Sequence, residues 1–170
     1  LSKFAKSDPA VRYMCTTICN CTILDDGKNA FASNEMIDVY AQLAPFVEDV
    51  MCAQDFASAI CNTNSVSDEV RKRFACTEIV NALTTVSKVV YNSCEGKFAV
   101  KDCAEAVQLI NSAASLISMC REGQLAFGCQ KYAECWARLC PYAKSNEATR
   151  FSAVALNNVG IAAEARPFFA

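Results

Sequence analysis

The chain contains no histidine. That absence removes Ser-His-Asp and Cys-His triads, phospholipase-type His/Asp catalysis and every histidine-containing zinc site. Glycine is scarce, with five in 170 residues, and no Gly-x-Ser-x-Gly elbow, Walker loop or Gly-x-Gly-x-x-Gly occurs, so no phosphate cradle is built in. No Cys-x-x-Cys occurs although cysteine is abundant, which excludes the usual zinc-knuckle, thioredoxin-like and c-type haem spacings. No apolar run approaches the roughly 18 to 20 residues that span a bilayer, so no transmembrane segment is expected. A net charge of -2 gives no electrostatic attraction to nucleic acid. No cofactor or metal is expected, because none of the usual ligand sets is present.

What the chain does have is sulfur. Twelve cysteines, Cys15, Cys19, Cys21, Cys52, Cys61, Cys76, Cys94, Cys103, Cys120, Cys129, Cys135 and Cys140, read as six disulfides made in an oxidising compartment. The sequon Asn20-Cys21-Thr22 marks Asn20 as a glycosylation candidate and agrees with secretion. A start at Leu1 with no apolar leader is what a removed signal peptide leaves behind, and the predicted location is extracellular. At 170 residues and 53% hydrophobic content, one domain spanning 1–170 is expected.

Periodicity is helical throughout. The strongest pattern lies in Phe98–Cys120, where Val100, Cys103, Val107, Ile110, Ala114 and Ile117 form one apolar row and Ala106, Leu109, Ala113 and Leu116 a second. The arc is too wide for a surface helix, so this is predicted to be a central helix packed from two directions. Ser7-Asp8-Pro9 starts a first helix that runs to about Asn20. Asp25–Asn29 reads as a solvated turn, since its residues fail the calcium-loop ligand pattern. Ser33 caps a helix carrying Met36, Val39, Tyr40 and Leu43 that Pro45 ends or kinks. A third piece runs through Val50 and Phe56 to Cys61. Ser65 with Asp68 resembles a capping box for one long helix from Val70 to Cys94. Arg121-Glu122-Gly123 reads as a turn before a helix bearing Tyr132 and Trp136 and stopped by Pro141, and a last helix starts at Ser145 or Asn146.

The Cys-x8-Cys spacing occurs at Cys52/Cys61, Cys94/Cys103 and Cys120/Cys129. In the last two a glycine falls between the cysteines, which suggests a staple across a helical hairpin. By analogy the chain should also break near Ala53–Asp55, although no longer sequence repeat accompanies the spacing. The predicted fold is all-α, a compact disulfide-stapled bundle of about five to seven helices without strands.

Few side chains invite chemistry. The adjacent acids Asp25/Asp26, Glu48/Asp49 and Asp68/Glu69 point about 100° apart on a helix and are not arranged to flank a bond. Candidate partner contacts are the basic cluster Arg71, Lys72 and Arg73 and the aromatic tail Phe168 and Phe169. In helix content and cysteine number the chain resembles secreted helical disulfide scaffolds such as elicitins, odorant-binding proteins and saposin-like proteins, a likeness that carries no site residue across. The expected function is a secreted, non-catalytic protein that binds another macromolecule, a receptor or host target, in a signalling, toxin-like or immunomodulatory role. The alternative is an extracellular carrier of an apolar small molecule, lipid or sterol, held between helices.

Overall fold

Capping and turn chemistry divide residues 6–95 and 100–169, those that the computed structural model describes, into ten α-helices with no strand among them. Pro9 sits in the first turn of α1 (Asp8–Cys21), where its missing N–H costs nothing, and Ser7 is the N-cap. The acids of α2 (Asp25–Phe31) favour its N-terminus, and Lys28 pairs with Asp25 at 2.9 Å. Then follow α3 (Asn34–Leu43), ended by a 3-10 turn at Ala44–Phe46 around Pro45, and α4 (Val50–Asn64), whose N-cap Asp49 accepts from the Cys52 amide. Beyond them lie α5 (Asp68–Phe74), α6 (Thr77–Cys94), α7 (Val100–Ile117), α8 (Arg121–Phe127), α9 (Gln130–Leu139) and α10 (Asn146–Ile161).

Four expectations are corrected. Asp25–Asn29 and Arg121-Glu122-Gly123 are not turns but the starts of seven-residue helices, which raises the helix count from the expected five to seven to ten. The long helix expected through Val70 and Ile79 is broken at Ala75, where the Cys76 amide donates to the Phe74 carbonyl at 2.9 Å in an inverse γ-turn with φ -76° and ψ 61°. The cap of α5 is Ser67, whose hydroxyl accepts from the Val70 amide, and not Ser65. No break occurs near Ala53–Asp55, because α4 runs unbroken through it. The start of the central helix at Phe98 and the turn at Gly96 lie outside the described residues.

The short helices disclose a repeat. A long helix, a three-residue gap, a seven-residue helix, a two-residue gap and a third helix recur as α1–α2–α3, α4–α5–α6 and α7–α8–α9, and α10 begins a fourth round. Each short helix ends in phenylalanine, at Phe31, Phe74 and Phe127. After each long helix a hydroxyl caps a carbonyl at 2.7 Å: Thr22 to Ile18, Ser65 to Asn62 and Ser118 to Ala114. From α2 to the end of α3, every element boundary recurs 96 positions later in α8 and α9. Gly27 and Gly123 are one such pair, and a Cβ on either would run into a backbone carbonyl, that of Cys21 or of Ile117.

The long helices form a parallel row. Asp8 Oδ1 at the start of α1 accepts from the amides of Glu48 and Asp49 at the start of α4, at 2.7 and 3.3 Å. Gln54 donates to the Asp102 carbonyl and Cys61 to that of Leu109, which sets α4 along α7 in the same direction. Asn111 to Ser152 and Asn158 to the Ser115 carbonyl do the same for α7 and α10. As expected, α7 is packed on two sides, and alanines at Ala53, Ala57, Ala106, Ala113, Ala114 and Ala155, all fully buried, let the axes approach. A second row, α3, α6 and α9, lies beside the first. Each layer touches chiefly its neighbours, the arrangement of a helical solenoid.

Replacing Gly27 or Gly123 by alanine is expected to cost at least about 2 kcal/mol in urea unfolding, because the helix crossing must open. Gly160→Ala, where nothing lies within 4 Å, should be neutral or stabilising by up to about 1 kcal/mol. Equal effects at all three positions would contradict the close-approach account.

Candidate binding groove

Layer one carries apolar residues at the positions that form the inter-layer contacts of layers two and three. Met36 and Val39 lie on one face of α3, Met14 and Ile18 on one face of α1, and Phe31 ends α2 between them. With Tyr13 and Thr17 they line a groove of about 370 Å³, bordered almost wholly by carbon. The equivalent positions in layer two are Phe56, Ala57, Ile60, Cys61, Phe74, Ile79 and Ala82, and six of the seven are buried. In layer three Phe127, Tyr132 and Cys135 replace Phe31, Met36 and Val39 and are buried as well. In layer one Tyr13 is 76% exposed, and Phe31, Met36 and Val39 are only half-buried. Ile23 and Leu24, in the turn between α1 and α2, add exposed aliphatic surface.

Two polar clefts lie between long helices. One, of about 630 Å³, is lined by Asp8, Arg12, Thr16, Asp49 and Asp55, and another, of about 460 Å³, by Glu105, Gln108, Lys144, Ser145 and Glu147. The acids of the first are committed to structure: Asp8 receives two amides, Asp49 caps α4, and Asp55 takes Arg12 and Thr16, each at 3.2 Å. Among the described residues no cluster of Cys, Asp or Glu could hold a metal ion, and no helix is long and apolar enough to cross a membrane.

Of the twelve cysteines one pair is joined. Cys94–Cys103 bridges the end of α6 to the start of α7 with a Cα separation of 6.2 Å, the cross-turn staple expected from the spacing. Cys120 and Cys129 instead flank α8, one at each end, because the Gly123 segment is helical, and Cys52 and Cys61 share α4. Cys15, Cys19, Cys21, Cys76, Cys135 and Cys140, like those four, stand as thiols, so the expectation of six disulfides is met at one. Burial pushes the Cys61 thiol up to about 12 and those of Cys135 and Cys140 to about 11. Cys15 and Cys52 are raised further, chiefly by burial, and at Cys52 the neighbouring Asp8 carboxylate adds to the effect. As thiols these sulfurs stay protonated at neutral pH and are poor nucleophiles.

The other candidates from the sequence are scattered. Arg71 pairs with Asp68 and donates to the Asn64 carbonyl, Arg73 donates to the Ala32 carbonyl across the layers, and Lys72 is exposed. Phe169 packs edge-on against Tyr132 and Trp136, at 6.3 and 6.4 Å between ring centroids, while Phe168 is 41% exposed. Asn20 is exposed near the end of α1, and the Thr22 side chain of its sequon is turned inward onto the Ile18 carbonyl. None of these side chains lines the groove. Periodicity places Met36 and Val39 on the buried side of a helix, and only the stacking of layers shows that no described residue covers them. Comparison of the chain with protein-family models, with curated proteins and with solved structures found no match.

Replacing Cys94 and Cys103 together by serine is expected to cost roughly 2.5 kcal/mol, the loop-closure value for a separation of 9, read as a lowered urea midpoint. An unchanged midpoint would show that the staple adds nothing to stability.

Proposed function

We propose that this chain is an extracellular, non-catalytic protein that binds another macromolecule, a receptor or host target, and that it does so at the open end of its helical stack. The observation that carries this reading is the first-layer groove. Most of its counterparts in the next two layers are buried, whereas here Tyr13 is exposed and Met14, Phe31, Met36 and Val39 are only half-buried. Contiguous apolar surface of this kind marks interaction sites. The chemistry of the remaining surface supports the same reading. The lack of histidine, the helix contacts made by the acids of the first cleft and the upward shift of buried thiols such as Cys61 all favour binding over catalysis. The cysteine content and the one staple, Cys94–Cys103, suit an oxidising setting.

A photo-reactive phenylalanine at position 13, in the groove, and at position 157, on the exposed face of α10, provides the test. Mixed with extracellular fluid from the source, position 13 should give a discrete cross-linked protein that excess unmodified chain competes away, and position 157 should not. Co-purified lipid or sterol in native mass spectrometry, released by Met36→Glu, would instead make the protein a carrier of apolar small molecules and overturn the proposal.

A further inference from the structure

The groove of layer one repeats an interface that the protein closes with one of its own helices. Over layer two the cover includes α3: its Tyr40 is fully buried, edge-on to Phe56 at 5.5 Å and to Phe74 at 6.1 Å between ring centroids. Phe56 and Phe74 are the counterparts of Tyr13 and Phe31. A helix surface that presents one large side chain is therefore the shape that fits this lining, and it packs there at side-chain contact distance.

We infer that the first-layer groove docks one amphipathic α-helix of a partner protein, seated as α3 is seated over layer two, with lysine or arginine flanking its apolar stripe. The charge requirement comes from the rim. Glu35 and Asp38 are chain neighbours of the lining residues Met36 and Val39 on α3 and are exposed, as is Asp26 on α2. The Glu35 carboxyl is held below its ordinary value by the Ser33 hydroxyl and its own backbone amide, so it is ionised at neutral pH. Of the nearby cations Lys28 is paired with Asp25 and Arg12 with Asp55, and Arg73, which donates to the Ala32 carbonyl and helps to lower Glu35, offsets only one of these three acids. An acidic edge beside an apolar channel selects a helix with a basic border and disfavours an acidic one. The inference names the partner class for the binding site proposed above and rests on that reading.

The test titrates the purified chain with a fluorescent helical peptide of about 16 residues that carries leucine and tyrosine at i, i+3, i+4 and i+7 and lysine elsewhere. Controls are a scrambled peptide of the same composition and one with glutamate in place of lysine. Saturable binding in the micromolar range is expected for the first, with at least about tenfold weakening for either control and for the Met36→Glu/Val39→Glu protein. Tyr13→Glu, at a highly exposed position, should weaken binding similarly while leaving the unfolding midpoint unchanged. Equal binding of the scrambled peptide, no binding of any peptide, or binding untouched by these substitutions would overturn the inference. So would a dimer in sedimentation velocity that Met36→Glu dissociates, since the occupant would then be a second copy. If position 13 still cross-links a protein while no helix binds, the proposed function stands and only the helical partner is lost.

Discussion

Alanine-lined contact between parallel long helices is the constraint on which the other features depend. The axes of α4, α7 and α10 approach closely because the facing positions are small: Ala57 on α4, Ala106, Ala113 and Ala114 on α7, and Ala148 and Ala155 on α10. Parallel neighbours cannot be joined by a tight turn, so the chain must return to its starting end between one long helix and the next. The seven-residue helix and the third helix make that return, and each return produces a layer with the same pocket beside its phenylalanine. Large residues are therefore concentrated between the rows, where Tyr40, Phe56 and Phe74 meet edge-on and Phe127 meets Tyr132 at 4.8 Å.

A stack of this kind has two ends, and here they are treated differently. After α10 the chain turns back, burying Ala162 and Ala165. Ala165 lies so close to Gly128 that a side chain at that position could not be accommodated, although the equivalent residues in the earlier layers are Ala32 and Ala75. Phe169 then covers Tyr132 and Trp136. Layer one has no such cover among the described residues, and its apolar lining meets solvent. Terminal repeats of a solenoid ordinarily carry a polar outer face. An apolar one departs from that rule in a way that binding would explain.

Much of the architecture was legible in the sequence. The two apolar rows of α7, the Ser7-Asp8-Pro9 start, the stop at Pro141 and the Cys94/Cys103 staple are local signals, and each appears where the spacing placed it. The seven-residue helices were not legible, because two turns are too short to show a period and their first residues, Asp-Asp-Gly and Arg-Glu-Gly, have the composition of turns. The break at Ala75 was hidden for the opposite reason: it uses an inverse γ-turn with no glycine or proline to mark it. The repeat escaped because few pairs, such as Gly27/Gly123, Phe31/Phe127 and Pro45/Pro141, keep their identity across it. The groove could not be read from the sequence at all, since Met36 and Val39 obey the same periodicity as covered residues and their exposure depends on what the neighbouring layer supplies.

The direction of the long-helix row is open to direct measurement. Spin labels carried on unnatural amino acids at Met51 and Glu147, in the first turns of α4 and α10, straddle α7 and should lie about 20 Å apart, two interaxial spacings. Moving the second label to Asn157 should lengthen the distance, because α10 runs away from that end in the same direction as α4. A Met51–Asn157 distance shorter than Met51–Glu147 would mean that the helices do not run in parallel, and the layered stack with its open first groove would be wrong.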